Sequence, residues 1–144
     1  MLMKRLLPAV AVLSMMGALL LAKVGDAANS GAGMTDAAEK FLGSLSEEQK
    51  KQATFSYDDP ERLNWKCIPR ERKGLPLKAL EGAPLKLAHQ LIQSGLSPDG
   101  YDQTINIMSL EEILFLLEGG DREERREKRD PKKYYLSVFG KPSA

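Results

Sequence analysis

The chain has 144 residues and an almost balanced charge, since 21 Lys and Arg residues stand against 20 Asp and Glu residues for a net charge of +1. A nucleic-acid-binding protein usually carries a basic excess gathered on one face, so this composition argues against nucleic acid as a partner. The single cysteine excludes an internal disulfide, and the single histidine leaves few side chains for a metal or catalytic site.

Residues 1–27 have the pattern of a secretory signal peptide. Lys4 and Arg5 precede an apolar run that extends to Ala22, and small residues at Gly25 and Ala27 suit cleavage before residue 28. The sequence therefore predicts a secreted or periplasmic protein. The alternative is an uncleaved N-terminal membrane anchor, because an apolar run of about 17 residues lies at the short limit for spanning a bilayer. In that case the membrane is contacted only through this segment.

The segment that follows the predicted cleavage site, residues 28–34, has no periodicity and predicts a flexible leader. A helical domain is then predicted over residues 35–144. Its first part, residues 36–53, is either one helix bent near Gly43 or two short helices, since Ser46 and Gln49 form a capping-box signature.

Proline and serine residues mark the next helices. The pair Asp59-Pro60 predicts a short helical start, the segment from Pro84 to Gly95 a longer helix, and Ser97-Pro98 the beginning of another. The segment Ser109 to Glu112 repeats the capping-box pattern. The apolar run over residues 113–117 covers nearly all sides of a helix, which predicts that it is buried on more than one face.

The C-terminal part combines a charged segment with a strand. Residues 121–133 alternate in sign and predict an exposed helix or loop. Residues 134–139 are rich in aromatic and β-branched side chains and predict a strand, which we expect to pair with another segment or another chain. The predicted fold is therefore mainly α, with four to five short helices and a C-terminal β-strand. A lone strand at this end indicates that the domain is incomplete. The completed domain would be α+β.

A series of short motifs follows one another in a fixed order along the chain. These motifs are Arg62-x-x-Trp65, Pro69-x-x-Arg72-x-Gly74-Leu75-x-Leu77, Leu96-Ser97-x-x-Gly100-Tyr101, Ile107-x-x-Leu110-Glu111, Arg129-Asp130-Pro131-x-x-Tyr134 and Phe139-Gly140-x-Pro142. In this order the chain resembles the N-terminal part of the bacterial domain-of-unknown-function 3500 family, from about Thr35 to Ser143. The resemblance implies an exported protein and a continuation into a segment with a Gly-His-His motif. It implies no established activity.

The most suggestive group of side chains for binding is Arg62, Trp65, Arg70 and Arg72. Guanidinium groups bind carboxylates and phosphates through two hydrogen bonds, and an indole offers a flat surface to a cation or a sugar ring. These residues therefore predict a sugar or anion site. The alternative is that Trp65 packs in the core while the arginines pair with the neighbouring carboxylates, which are Asp58, Asp59, Glu61 and Glu71.

Other residues with chemical potential favour structural roles. His89 lies at the edge of the apolar face of its predicted helix, which indicates a partly buried helix histidine rather than a general base or a metal ligand. Cys67 is either a small buried residue or the site of an intermolecular disulfide. No glycine-rich phosphate loop, GxSxG, HExxH or CxxC motif occurs. We therefore predict no cofactor, no metal site and no catalytic residue.

Three functions follow from these observations, in order of preference. The first is an exported protein of unknown activity that forms the non-catalytic N-terminal portion of a longer domain. The second is a periplasmic or extracellular binding or interaction module that uses the zone from Arg62 to Arg72. The third is an exported hydrolase, which ranks last because the chain has so few candidate nucleophiles and bases.

Overall fold

A computed structural model describes residues 31–64 and 72–143 of this chain. The predicted signal peptide lies outside the described residues, and so do Trp65, Cys67 and Arg70. None of the described helices is both long enough and apolar enough to cross a membrane.

The described residues form a mainly α-helical fold with a minor β content, which confirms the predicted fold class. The α-helices are α1 (31–43), α2 (Glu47–Ala53), α3 (Gly82–Ser94), α4 (Pro98–Leu117) and α5 (Arg122–Lys128). Short 3-10 helices cover Pro60–Leu63 and Leu77–Ala79, and the strands are β1 (Thr54–Phe55), β2 (Leu75–Pro76), β3 (Tyr135–Leu136) and β4 (Val138–Phe139).

Helix α1 includes residues that composition assigned to a flexible leader. Residues 31–34 are helical, so the first helix begins before residue 36, where the sequence predicts its start. The end of the Met34 side chain lies beside Gly95 at the end of α3. Local composition cannot predict such a contact, because Met34 and Gly95 are distant in the sequence. The contact gives a packing partner to a segment that has no periodicity of its own.

The segment over residues 36–53 contains two helices rather than one bent helix. Helix α1 ends at residue 43, and Ser46 caps α2. The Ser46 hydroxyl accepts a hydrogen bond from the Gln49 backbone N–H (3.2 Å), while the Gln49 side chain accepts one from the Ser46 N–H (3.1 Å). This is the capping box that the sequence predicts. The Gln49 amide also donates to the Ala79 carbonyl (2.9 Å) and so links α2 to the second 3-10 helix.

The predicted C-terminal strand consists of two short strands that pair with two other parts of the same chain. Strand β3 is antiparallel to β2, with Leu136 opposite Leu75, whereas β4 is parallel to β1, with Phe139 opposite Phe55. The rings of Phe55 and Phe139 stack with their centroids 5.1 Å apart. Residue 137 separates the two strands, so the segment joins two regions that are distant in the sequence.

The hydrophobic core lies where these pairings meet helices α1, α3 and α4. Its fully buried large side chains are those of Phe41, Leu75, Leu77 and Leu80. Leu45, between α1 and α2, completes the buried cluster together with Ala53, Ala88 and Met108 from α2, α3 and α4. The C-terminal half of α4 extends beyond this cluster, because Met108 is its last member along the chain.

Helix α4 differs from the prediction in two ways. It is continuous from Pro98 to Leu117, so Ser109 does not begin a new helix; its hydroxyl instead donates to the Asn106 carbonyl (2.7 Å). The apolar run over 113–117 is also not buried on more than one face. Phe115 is 4% exposed, but Ile113, Leu116 and Leu117 are 50%, 71% and 77% exposed. Only one side of this run is covered by protein among the described residues.

Candidate functional site

The part of the predicted binding cluster that the structure describes contains an arginine held over a tyrosine. Arg62 belongs to the first 3-10 helix, which Asp59 caps by accepting a hydrogen bond from the Glu61 N–H (2.8 Å). The guanidinium carbon of Arg62 lies 4.2 Å from the centroid of the Tyr57 ring, a cation–π geometry. Glu61 accepts a hydrogen bond from the Asn64 side chain (3.0 Å).

Tyr57 is 60% exposed, yet its position is supported from behind. Gly140, at a φ of 79°, comes so close that a Cβ there would lie 3.3 Å from the Tyr57 Cβ. The Gly140 N–H donates to the Phe55 carbonyl (2.9 Å), which holds this turn in place. We call Tyr57 and Arg62 the Tyr57–Arg62 shelf. Sequence analysis missed Tyr57 because its supporting residue is distant along the chain.

The four predicted binding residues are not all located. Arg72 is exposed and follows the segment 65–71 in the sequence, whereas Arg62 precedes it. Trp65 and Arg70 lie within that segment, outside the described residues. A common site formed by Arg62, Trp65, Arg70 and Arg72 therefore stays a prediction.

The only histidine of the chain lines an open depression between α3 and α4. His89 is partly buried, and its Nδ1 lies 3.2 Å from the Tyr101 hydroxyl oxygen, with the two rings edge to face at 6.4 Å. The depression has a volume of about 560 Å³ and is also lined by Asp102, Ile105 and Asn106. The pairing with Tyr101 fits the structural role that the sequence indicates. In the described ranges, no three His, Cys, Asp or Glu side chains come together as metal ligands.

Helix α5 packs against the C-terminal half of α4 through its arginines. The Asp121 side chain begins α5 by accepting hydrogen bonds from the N–H groups of Glu123 (2.9 Å) and Glu124 (3.0 Å). Arg126 binds both oxygens of Glu112 (2.6 and 3.1 Å), and its guanidinium carbon lies 3.5 Å from the centroid of the Phe115 ring. Residues 122–128 of the charged segment are thus helical, one of the two predicted forms, but the arginines reach across to another helix.

Two further arginines of this segment complete the contact. Arg129 donates to both oxygens of Glu118 and approaches Glu111 at 3.3 Å. Arg125 donates to the backbone carbonyls of Phe115 (3.3 Å) and Glu118. Because the last carbonyls of a helix lack partners within the helix, these bonds stabilise the C-terminal end of α4. We call this set of interactions the α4–α5 contact.

The ion pairs of the α4–α5 contact keep its carboxylates charged. Hydrogen bonds from Arg129 lower the pKa of Glu118, and those from Arg126 lower the pKa of Glu112. The same bonds raise the pKa of each arginine. The Arg129 and Glu118 side chains are 18% and 34% exposed, which makes this pair more sheltered than the pair between Arg126 and Glu112.

The side of α4 that faces away from α5 is apolar and exposed. Leu110, Ile113 and Leu117 follow at spacings of three and four residues, so they share one face of the helix, with Ile107 and Leu116 at its edges. Met108 and Phe115 precede Leu110 and Leu117 by two residues, which places them roughly 200° around the helix on the covered side. We call the five exposed residues the α4 apolar face. Ile113, Leu116 and Leu117 belong to the apolar run over residues 113–117, for which the sequence predicts burial on more than one face.

Comparison with known proteins gives one match. The model of a family described as protein of unknown function, DUF3500, matches residues 27–144. No curated protein and no solved structure is similar to the chain.

Proposed function

We propose, since the chain belongs to the DUF3500 family of proteins of unknown function, that it is an exported and non-catalytic helical scaffold. In this proposal the chain is the N-terminal portion of a larger unit, and the chemistry of that unit is carried elsewhere. Export is supported by the charge of Lys4 and Arg5, the apolar run behind them and the small residues before the predicted cleavage site.

The observation that carries the scaffold function is the α4 apolar face. A helix that is apolar on two opposite sides is typical of a helix with protein packed on both sides. Among the described residues, α5 and the core cover only the side of Met108 and Phe115. The five residues of the face expose about 600 Å² together, at the upper end of what a monomeric protein presents. We therefore infer that further protein packs on this side.

The α4–α5 contact supports the same inference, because it holds the face in a defined position. Arg126, Arg129 and Arg125 bind α4 through carboxylates and through carbonyls of its last turn. All of these bonds lie on the side away from the α4 apolar face. The helix end is thus anchored by polar interactions while its apolar side chains stay available for packing.

Export is tested by the N-terminus of the product. We expect the protein recovered from the medium or the periplasm of an exporting host to begin at Ala28, as read by intact mass and N-terminal sequencing. A product that keeps residues 1–27 and fractionates with the membrane supports the anchored alternative. A full-length product in the cytosol contradicts export.

The scaffold function is tested by footprinting the protein in its native fraction before purification. Leu116 and Leu117 are 71% and 77% exposed, and Leu63 on the first 3-10 helix is 79% exposed. We expect hydroxyl radicals to modify Leu63 readily while Leu116 and Leu117 are protected by the protein that covers them. Equal modification of all three leucines contradicts the proposal.

A second candidate function is binding of an acidic sugar at the Tyr57–Arg62 shelf, extended by the zone that ends at Arg72. The observation that favours it is an exposed aromatic ring that carries a guanidinium group at 4.2 Å, a combination that suits a ring with a carboxylate. Trp65 is the only tryptophan and lies one residue beyond Asn64, so its fluorescence reports on this zone.

This candidate is tested by titrating the protein with a uronic-acid oligosaccharide. We expect the Trp65 fluorescence to change with saturation in the wild type and in Arg122→Ala, and to lose that response in Arg62→Ala. Arg122 is a suitable control because it is an exposed arginine of helix α5, outside the zone from Tyr57 to Arg72 in the sequence. An unchanged spectrum throughout the wild-type titration contradicts sugar-acid binding.

A further inference from the structure

We propose that the protein covering the α4 apolar face is a second copy of this chain, so that the protein forms a homodimer through helix α4. This inference rests on the proposed scaffold function and identifies the partner that the scaffold packs against. It is carried by the area of the face, by its self-complementary chemistry and by the way its neighbouring charges are neutralised.

The area of the face is sufficient for a dimer. Ile107, Leu110, Ile113, Leu116 and Leu117 are each between 49% and 77% exposed. Together they expose about 600 Å² per copy, so two copies that cover each other bury at most about 1,200 Å² from these residues, which reaches the lower end of the range for specific interfaces.

The chemistry of the face allows it to pack against itself. A two-fold dimer places the same patch of each copy in contact, so a charge near the centre of the patch would meet its own like charge. The central residues Leu110, Ile113 and Leu117 are apolar and follow the spacing at which paired helices interlock. The edge residues Ile107 and Leu116 are also uncharged.

The acidic residues of the C-terminal half of α4 lie outside the seam, the line along which the two α4 apolar faces would meet. Glu111 and Glu112 lie between the residues of the face in sequence, but they point to the α5 side, where Arg129 and Arg126 neutralise them. Glu118, at the end of the helix, is paired with Arg129 in the same way. The carboxylates that would repel a second copy of this helix are therefore already compensated within each copy.

The test measures the mass of the protein recovered from the exporting host by sedimentation equilibrium over a range from about 1 μM to 1 mM, a range that covers typical weak to moderate affinities. We expect a concentration-dependent increase to twice the mass of the single chain. Ile113→Glu weakens the dimer by roughly thirtyfold or more, because Ile113 lies at the centre of the seam. Leu63→Glu introduces the same charge at an exposed leucine elsewhere and leaves the dimer intact.

A charge exchange separates loss of pairing from loss of folding. Ile113→Lys and Ile113→Glu alone each dimerise at least thirtyfold more weakly than the wild type, whereas an equal mixture forms a dimer with one copy of each at lower concentration, because opposite charges then meet at the centre of the interface. Circular dichroism of each variant confirms that helix content is retained.

The outcomes discriminate this inference from the proposed function. A wild-type chain that is monomeric over the whole concentration range overturns the homodimer, and so does an Ile113→Glu variant whose dimer dissociates at the same concentration as the wild-type dimer. If the chain is monomeric but Leu116 and Leu117 are still protected in the native fraction, the scaffold function stands and another protein covers the face. If those leucines react like Leu63, the scaffold function fails as well.

Discussion

Gly74 is the position where a single added methyl group tests the pairing of β2 and β3 most directly. Its φ of 110° lies in the region that favours glycine, and it immediately precedes β2. A Cβ at this residue would lie 2.9 Å from the Leu136 carbonyl oxygen and would overlap with the Ser137 hydroxyl. Gly74→Ala therefore imposes both a strained backbone and a collision with the C-terminal segment.

The two effects can be estimated separately. A residue with a side chain in such a backbone conformation costs about 1 to 3 kcal/mol. The Leu136 backbone is paired with Leu75 in the β2–β3 register, so it cannot withdraw without breaking that pairing, and the overlap adds about 1 to 3 kcal/mol. We expect Gly74→Ala to lower the free energy of unfolding by about 3 kcal/mol, a large share of the stability of an average domain.

The assay is urea unfolding followed by far-ultraviolet circular dichroism, with two matched glycine controls. Gly82→Ala is placed at a φ of 56° in open space and has only the backbone cost of about 1 kcal/mol. Gly43→Ala, in open space near the end of α1, is expected to be neutral or slightly stabilising. From the highest to the lowest urea midpoint, the expected order is Gly43→Ala, wild type, Gly82→Ala and Gly74→Ala.

A double variant identifies the colliding group. Adding Ser137→Ala to Gly74→Ala removes the overlap with the hydroxyl but leaves the overlap with the Leu136 carbonyl, so it should restore only part of the lost stability. If Gly74→Ala unfolds at the same urea concentration as Gly82→Ala, the close approach of Gly74 to the C-terminal segment is refuted.

The remaining predictions concern the core, the α4–α5 contact and a helix cap. Phe41→Ala removes the largest fully buried side chain among residues 31–64 and 72–143 and should cost about 3 to 5 kcal/mol, measured by the same urea unfolding. Because Arg129 lowers the pKa of Glu118, their pair stabilises the fold above the ordinary carboxylate pKa of 4.5 and loses that effect as the pH falls through the lowered pKa. Arg129→Gln should therefore unfold more easily than the wild type near neutral pH, and the two midpoints should converge in acid; a constant difference would contradict this. Ser46→Ala should cost about 1 kcal/mol, and an unchanged midpoint would show that the capping box does not stabilise α2.

Local sequence patterns predicted three of the helix starts correctly, although the first helix begins before residue 36 and Ser109 begins no helix. The capping box of Ser46, the Asp59-Pro60 start and the Ser97-Pro98 start all occur where the sequence predicts them. Each depends on bonds between residues at most three positions apart, so the pattern contains all of its partners. The stop of α3 at Gly95 follows the same logic.

The binding zone was predictable only in part, because some partners of its residues are distant in the sequence. Residue types pointed to Arg62, but the ring on which it rests belongs to Tyr57, and Tyr57 is supported by Gly140 from the other end of the chain. Likewise, the alternating charges over residues 121–133 predicted an exposed helix or loop, whereas Arg126 and Arg129 bind residues of α4.

By itself, then, the sequence determined the helical class, the helix starts at Ser46, Asp59 and Ser97 and the apolar character of residues 113–117, because propensity, capping and side-chain type are local properties. Only the tertiary structure decided which apolar residues are covered. It also joined residues 134–139 to strands β1 and β2, which lie more than 50 positions earlier in the chain. The physical reason is that burial and strand pairing depend on which distant segments meet, and a run such as Ile113 to Leu117 has the same pattern whether one side or two sides receive a neighbour.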